Sequence, residues 1–319
     1  MSPALRGALI SLAAFGLYAT HDVVVKVLGN HYTSFQILFF SGLLSFPVVS
    51  MLLMSDRTDG NLVPRRPWWS LARSLTGVAT GAMGFYAFSI LPMAQCYAML
   101  FAMPLIITLL SIPMLGEKVG LHRGIAVFIG LLGVLIVLRP GADPLSMGHL
   151  AGLGAAVCGA LSSVIVRKIG KEERSVVLMM YPMLASVVLM GLLMPFVYRP
   201  MPVEHLGLAG VVALLGMCGA FLTILAYRTA PAVIVAPMQY SQILWAALYG
   251  WLLFDEEIDE WTGIGSAVII ASGIYIVLRE GKVSKNRPVL ENRSRLDVGT
   301  LPRVGLWLRR FGKDGARDI

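Results

Sequence analysis

Asp22 and Lys26 stand four residues apart in an otherwise apolar segment. On a helix that spacing puts them on one face, within reach of each other. An ionisable group at mid-bilayer costs about 2.5–3.5 kcal/mol, so it needs a partner or a task. Asp22 is read either as a substrate or proton contact or as half of a structural pair. Lys26 either guards a gate or runs its ammonium out to water along its apolar stem. Arg73 follows Trp68-Trp69 by about one turn. Interfacial tryptophans mark a membrane boundary, which makes Arg73 a headgroup anchor or a gate for an anionic group.

A second set is polar and aromatic. Gln242, Trp245 and Tyr249 recur at helical spacing, after Gln239 and Tyr240. Pro237 interrupts that helix near its start and frees a carbonyl. Gln95, Tyr97 and Pro104 form an analogous group earlier in the chain. Thr80 and Tyr86 lie in a third apolar segment, and Tyr181 stands beside Pro182. Such rings serve packing as readily as binding, but amides gain little from lipid. Gln95, Gln239 and Gln242 are therefore read as cavity residues. Catalytic motifs and metal-ligand spacings are absent, and Cys96, Cys158 and Cys218 read as small buried residues. The sequence calls for no cofactor, no metal and no enzymatic role.

Membrane helices must position these groups. Hydrophobic residues make up 57% of the 319, charged residues 14%, and mean hydropathy is +0.75, which excludes an ordinary soluble domain. Ten runs reach spanning length, near 5–28, 33–54, 68–90, 92–115, 121–139, 147–167, 175–198, 205–228, 231–254 and 261–279. The basic residues sort to one side. Arg6, Arg57, Arg65, Arg66, Arg73, Lys118, Arg123, Arg167, Lys168, Lys171, Arg174 and Arg228 face Lys26, Arg139 and Arg199. Positive residues mark the cytoplasm, which puts both termini there. The net charge of +8 follows this pattern and implies no nucleic acid. Residues 280–319 read as a basic cytoplasmic tail without fixed structure.

The chain also repeats itself. Gly133-Val-Leu-Ile-Val-Leu-Arg139 is echoed by Gly273-Ile-Tyr-Ile-Val-Leu-Arg279, and Glu117, Pro92 and Gly77 match Glu256, Pro231 and Gly216 at an offset of 139. Each half holds five spans, an odd number, so the second is inverted. The expected fold is an all-α integral membrane protein of ten helices in two inverted five-helix repeats, 5–139 and 147–279. Such duplication is a common build for carriers that alternate access.

Leu115-Gly-Glu-Lys118 with Gly124, Gly130 and Gly133, and Phe254-Asp-Glu-Glu257 with Gly263 and Gly273, resemble the EamA family of the drug/metabolite transporter superfamily over about 5–280. The resemblance implies a ten-helix secondary carrier of the bacterial inner membrane, with a central cavity lined by both halves. His21-Asp22-Val-Val-Val-Lys26 and Ala236-Pro-Met-Gln-Tyr-Ser-Gln242 are similar to phrases in members that import riboflavin or S-adenosylmethionine. Those relatives usually carry Asn where His21 stands, and often Arg or Leu near Gln239. The expected function is uptake of a heterocyclic vitamin or nucleoside-like compound, riboflavin first and S-adenosylmethionine second, with proton coupling through Asp22. Export of amino acids or drugs is the alternative, and an intramembrane enzyme a distant one. Monomer and homodimer are both compatible with the sequence.

Overall fold

Proline and glycine decide where the helices begin, break and end. A computed structural model of the protein describes residues 3–54, 62–116, 120–139, 145–170, 172–173, 175–230 and 232–285. The regular structure among those residues is helical, with no strand. In the first half α1 is Pro3–Gly29, α2 Ser34–Met54 and α3 Pro67–Ile90. They are followed by α4 (Met93–Leu100), α5 (Met103–Leu115) and α6 (Leu121–Leu138). In the second half α7 is Met147–Ile169, α8 Ser175–Val197 and α9 Val203–Thr229. Then come α10 (Ala232–Val235), a 3₁₀ turn (Ala236–Tyr240), α11 (Ser241–Phe254) and α12 (Glu260–Lys285). Helices thus occupy the ten apolar runs. Five segments are long and apolar enough to cross a bilayer: Leu5–Gly29, Met93–Leu115, Met147–Ile169, Met180–Val197 and Val203–Tyr227.

Two of the runs are broken, in related places. Pro104 stands at the start of α5 and lacks the amide that would continue α4, so the chain turns at Phe101-Ala102. Pro237 does the same between α10 and α11, where the backbone tightens to 3₁₀. The run ends also correspond. α5 closes on Gly116 (φ 68°) and α11 on Asp255 (φ 52°), both left-handed and 139 residues apart.

Packing follows the repeat. α1 lies along α9 as α3 lies along α7, α2 meets α8, and α6 pairs with α12. The α6–α12 seam is close because Gly133 and Gly265 face each other's backbone. Large apolar side chains stay exposed on the outside of the bundle, among them Leu192 and Phe196 on α8 and Leu244 and Trp251 on α11, as lipid contact requires. The expected positions Arg57, Glu117, Lys118, Lys171, Arg174 and Pro231, and the tail beyond residue 285, lie outside the described residues.

Candidate functional site

The end of the bundle where α1 finishes is held by ionic and polar bonds between the two halves. Asp255 ends α11 in the left-handed conformation, and the Glu256 amide donates to the Gly250 carbonyl at 3.0 Å. That turn sends the Glu256 carboxylate back over the bundle. It meets Lys26 Nζ at 2.6 Å and accepts from the Met93 amide at 2.9 Å. Lys26 also donates to the Leu91 carbonyl at 2.6 Å, with Phe254 beneath it. Around this lock Gln36 bonds both backbone groups of Arg199, Tyr32 meets His205, and Arg139 pairs with Asp259.

Lys26 is therefore buried, 8% exposed, and does not run out to water. Nor does it pair with Asp22. The sequence spacing allows that pair, but a carboxylate and a carbonyl from other segments are better placed around the ammonium.

One turn deeper, Asp22 has partners of its own. Its Oδ1 accepts from His21 Nδ1 at 2.8 Å, and its other oxygen accepts from the Tyr97 hydroxyl. Gln242 reaches Tyr97 from α11. Gly216 on α9 makes room for the His21 ring, and Gly219 for Tyr18 below it. A Cβ at either position would come within 3.0–3.5 Å of those rings. Phe85 approaches His21 edge-on from α3. The cluster thus joins α1, α3, α4, α9 and α11.

A further turn down, the two helix breaks meet. Phe101, at the α4–α5 break, packs edge-to-face on Tyr240 of the 3₁₀ turn, with centroids 5.0 Å apart. Tyr97 and Phe88 continue the aromatic stack upward. Tyr240 seats its hydroxyl against Gly273, where a side chain would collide with it. Above this pair α4 packs on α11. Below it α5 leans on α7, while α10 leans on α1. Among the described residues α5 and α10 share no comparable interface.

The candidate residues separate accordingly. Asp22, Tyr97, Tyr240 and Gln242 come together. Gln95 on α4 and Gln239 in the 3₁₀ turn are partly exposed, and Gln95, two residues from Tyr97, stands on the other side of α4 from it. Thr80 bonds its own helix at Thr76 and faces Gly159 of α7. Tyr86 is 38% exposed, and Tyr181 lies on α8, away from the cluster. Trp245 lines a groove of about 230 Å³ between α1 and α11, with Leu12 and Leu244, and stacks on Tyr249. Tyr249 meets Thr20 at 3.0 Å. Trp245 is thus turned toward α1, away from Tyr97. Arg73 donates to the Leu178 carbonyl on α8 at the opposite end, tying α3 to α8 instead of reaching headgroups.

His21, Glu256 and Gln36 were missed from sequence. A histidine beside an aspartate in an apolar run was a usable signal; Glu256 and Gln36 gain their roles only through partners far along the chain.

The sequence matches the model of the "EamA-like transporter family" twice, over residues 5–139 and 146–279. An S-adenosylmethionine uptake transporter of Rickettsia bellii is 24% identical over 84% of this chain and 92% of its own length. A riboflavin transporter of Vibrio cholerae is 29% identical over 68% and 74%. A pseudopaline exporter of Pseudomonas aeruginosa is 26% identical over 85% and 93%. A solved crystal structure superposes with a TM-score of 0.59 at 17% identity, over 88% of this chain and 98% of that one, a likeness of fold alone.

Proposed function

The chain belongs to the EamA-like transporter family, and from that premise we propose that it is a secondary carrier for a flat heterocyclic metabolite, working by alternating access. The proposal places ten spans in the inner membrane as inverted repeats, 5–139 and 147–279, with both termini and the 280–319 tail in the cytoplasm. The Lys26–Glu256 end is then the outer one.

One observation carries the reading. Among the described residues the broken helices of the two halves pack together above the Phe101–Tyr240 pair, at the end locked by Lys26 and Glu256, and share no comparable interface below it. Among the described residues α5 and α10 share no comparable interface below that pair, and we read this arrangement as an outside-closed state in which the way in from the cytoplasm runs between them. In the opposite state the lock opens and the inner halves of the broken helices close. Asp22, Tyr97, Gln95, Gln239, Tyr240 and Gln242 contact the solute, and the driving force is the solute gradient with or without protons.

S-adenosylmethionine and riboflavin are both candidate solutes, since relatives named for each match most of this chain. Uptake is the proposed direction. Export is the second reading, favoured by the likeness to the pseudopaline exporter over most of both chains. Proteoliposomes preloaded with labelled vitamins, nucleosides and amino acids test the reading by counterflow. Saturable exchange of one heterocycle supports it; exchange of none, with the protein folded, refutes it. Reporter fusions at residues 118 and 258 must fall on opposite faces of the membrane for the inverted arrangement to stand.

A further inference from the structure

We propose that a groove between α6 and α12 holds one acyl chain of an anionic phospholipid, whose headgroup meets the basic residues at the end of α12. The groove has a volume of about 280 Å³. Its rims are Ile125 and Ile129 on α6 and Tyr275 on α12, each about half exposed on the outside of the bundle. Between them stand Ala126, Ala271 and Ser272, too short to fill the space. Beyond it the seam closes, where Gly133 and Gly265 bring the two backbones together. Beneath it Leu105 of α5 packs with Ala126 and Ile276. The walls are therefore fixed and the groove is preformed.

The lining specifies an apolar occupant. The Ser272 hydroxyl donates to the Ile269 carbonyl of its own helix at 2.8 Å, so it asks nothing of a ligand. An empty notch forfeits the contacts of the atoms around it, and in a bilayer a hydrocarbon chain is the material at hand. The length fits as well. His122, exposed, marks one end and Ile129 the other, a rise of about 10 Å along α6. That is about two-thirds of the hydrocarbon depth of one leaflet. Charge selects the headgroup. α12 runs on as helix past Tyr275 to Lys285, and Arg279 and Lys282 follow Tyr275 at spacings of four and seven, on its face. Arg123 stands next to His122 in the sequence. Glu280, the one acidic residue in 276–285, falls on a different face of the helix. Basic residues just beyond the end of a spanning helix favour anionic lipid by about fivefold each. In the orientation proposed above this end is cytoplasmic, so the inner leaflet supplies the lipid. A free phosphate shares the charge but brings no chain for the groove.

The test uses the purified full-length carrier in detergent micelles, with phosphatidylglycerol bearing a diazirine on one acyl chain. Irradiation and peptide mapping are expected to place most adducts within residues 122–129 and 271–275. Unlabelled phosphatidylglycerol competes at about a tenth or less of the amount needed of phosphatidylcholine with the same chains, and inorganic phosphate does not compete. Ala271→Trp fills the groove from an exposed position and lowers those adducts several-fold, with melting curves reporting that the variant is folded. Replacing Arg279 and Lys282 together with glutamine keeps the adducts but makes the two lipids compete equally. Adducts spread evenly round the bundle, adducts indifferent to Ala271→Trp, or equal competition in the parent each overturns the proposal. So does a dimer that Ala271→Trp dissociates, because a second copy then fills the groove. Adducts as stated, but without counterflow, would instead sink the transport reading alone.

Discussion

Replacing Lys26 with glutamine is expected to open the Lys26–Glu256 end, the outer one in the proposed orientation. The ammonium makes two 2.6 Å contacts, to Glu256 and to the Leu91 carbonyl, at a residue 8% exposed. Breaking a buried ion pair by removing one partner costs about 3–5 kcal/mol. The Glu256 side chain keeps 19% of its surface, so water relieves part of that, and about 2–3 kcal/mol is the working figure. Both contacts span segments that must part when this end opens, so the loss falls on the closed state. It shifts the closed–open equilibrium by roughly 30- to 150-fold. Cys96 reports the shift, being 1% exposed and directly below the lock. With Cys158 and Cys218 replaced by serine, an impermeant maleimide added outside labels Cys96 slowly in the parent. In Lys26→Gln the rate rises by one to two orders of magnitude, and pairing Lys26→Glu with Glu256→Lys restores much of the protection. An unchanged rate, or faster labelling only from the inside, refutes the reasoning.

Gly273→Ala places a methyl on the Tyr240 hydroxyl and is expected to lower thermal stability by about 1–3 kcal/mol, read from melting in detergent. Gly133→Ala sets its methyl 2.9 Å from the Gly265 carbonyl, which is backbone and cannot swing away; the α6–α12 seam is expected to splay, with a comparable loss of stability. Arg66→Ala removes the pair with Glu172, both of whose side chains are about half exposed, and the loss through that pair stays under about 1 kcal/mol in the same assay.

The helices were readable because spanning length and apolar composition are local properties; the breaks were less so, because Pro104 and Pro237 remove backbone donors just as Pro47, Pro113, Pro182 and Pro195 do inside helices that continue. Side-chain partners were least so. Asp22 and Lys26 share a face of α1 as their spacing says, yet that face meets α4 and the Glu256 turn, which supply partners separately to each. Gln242 and Trp245 lie about 60° apart around α11, and between two neighbours that arc is decisive. Gln242 faces Tyr97 on α4, while Trp245 faces α1 at Gly16. No periodicity within α11 reveals where α1 ends and α4 begins.

The departure from internal symmetry carries more mechanism than the symmetry does. α1 and α3 of the first half are packed together, with Gly29 against Ser89 and Lys26 on the Leu91 carbonyl. Their counterparts, α7 and α9, share no comparable interface among the described residues. Two copies of one architecture therefore stand in different conformations within one molecule. In an inverted pair, exchanging those conformations turns an outside-closed carrier into an inside-closed one, with no new fold required. Spin labels on the outer ends of α1 and α3, and on the inner ends of α7 and α9, are expected to move in opposite senses when a transported solute is added: the first pair apart, the second together. Movement of both pairs in the same sense would mean that the asymmetry is a fixed feature of the chain and takes no part in a transport cycle.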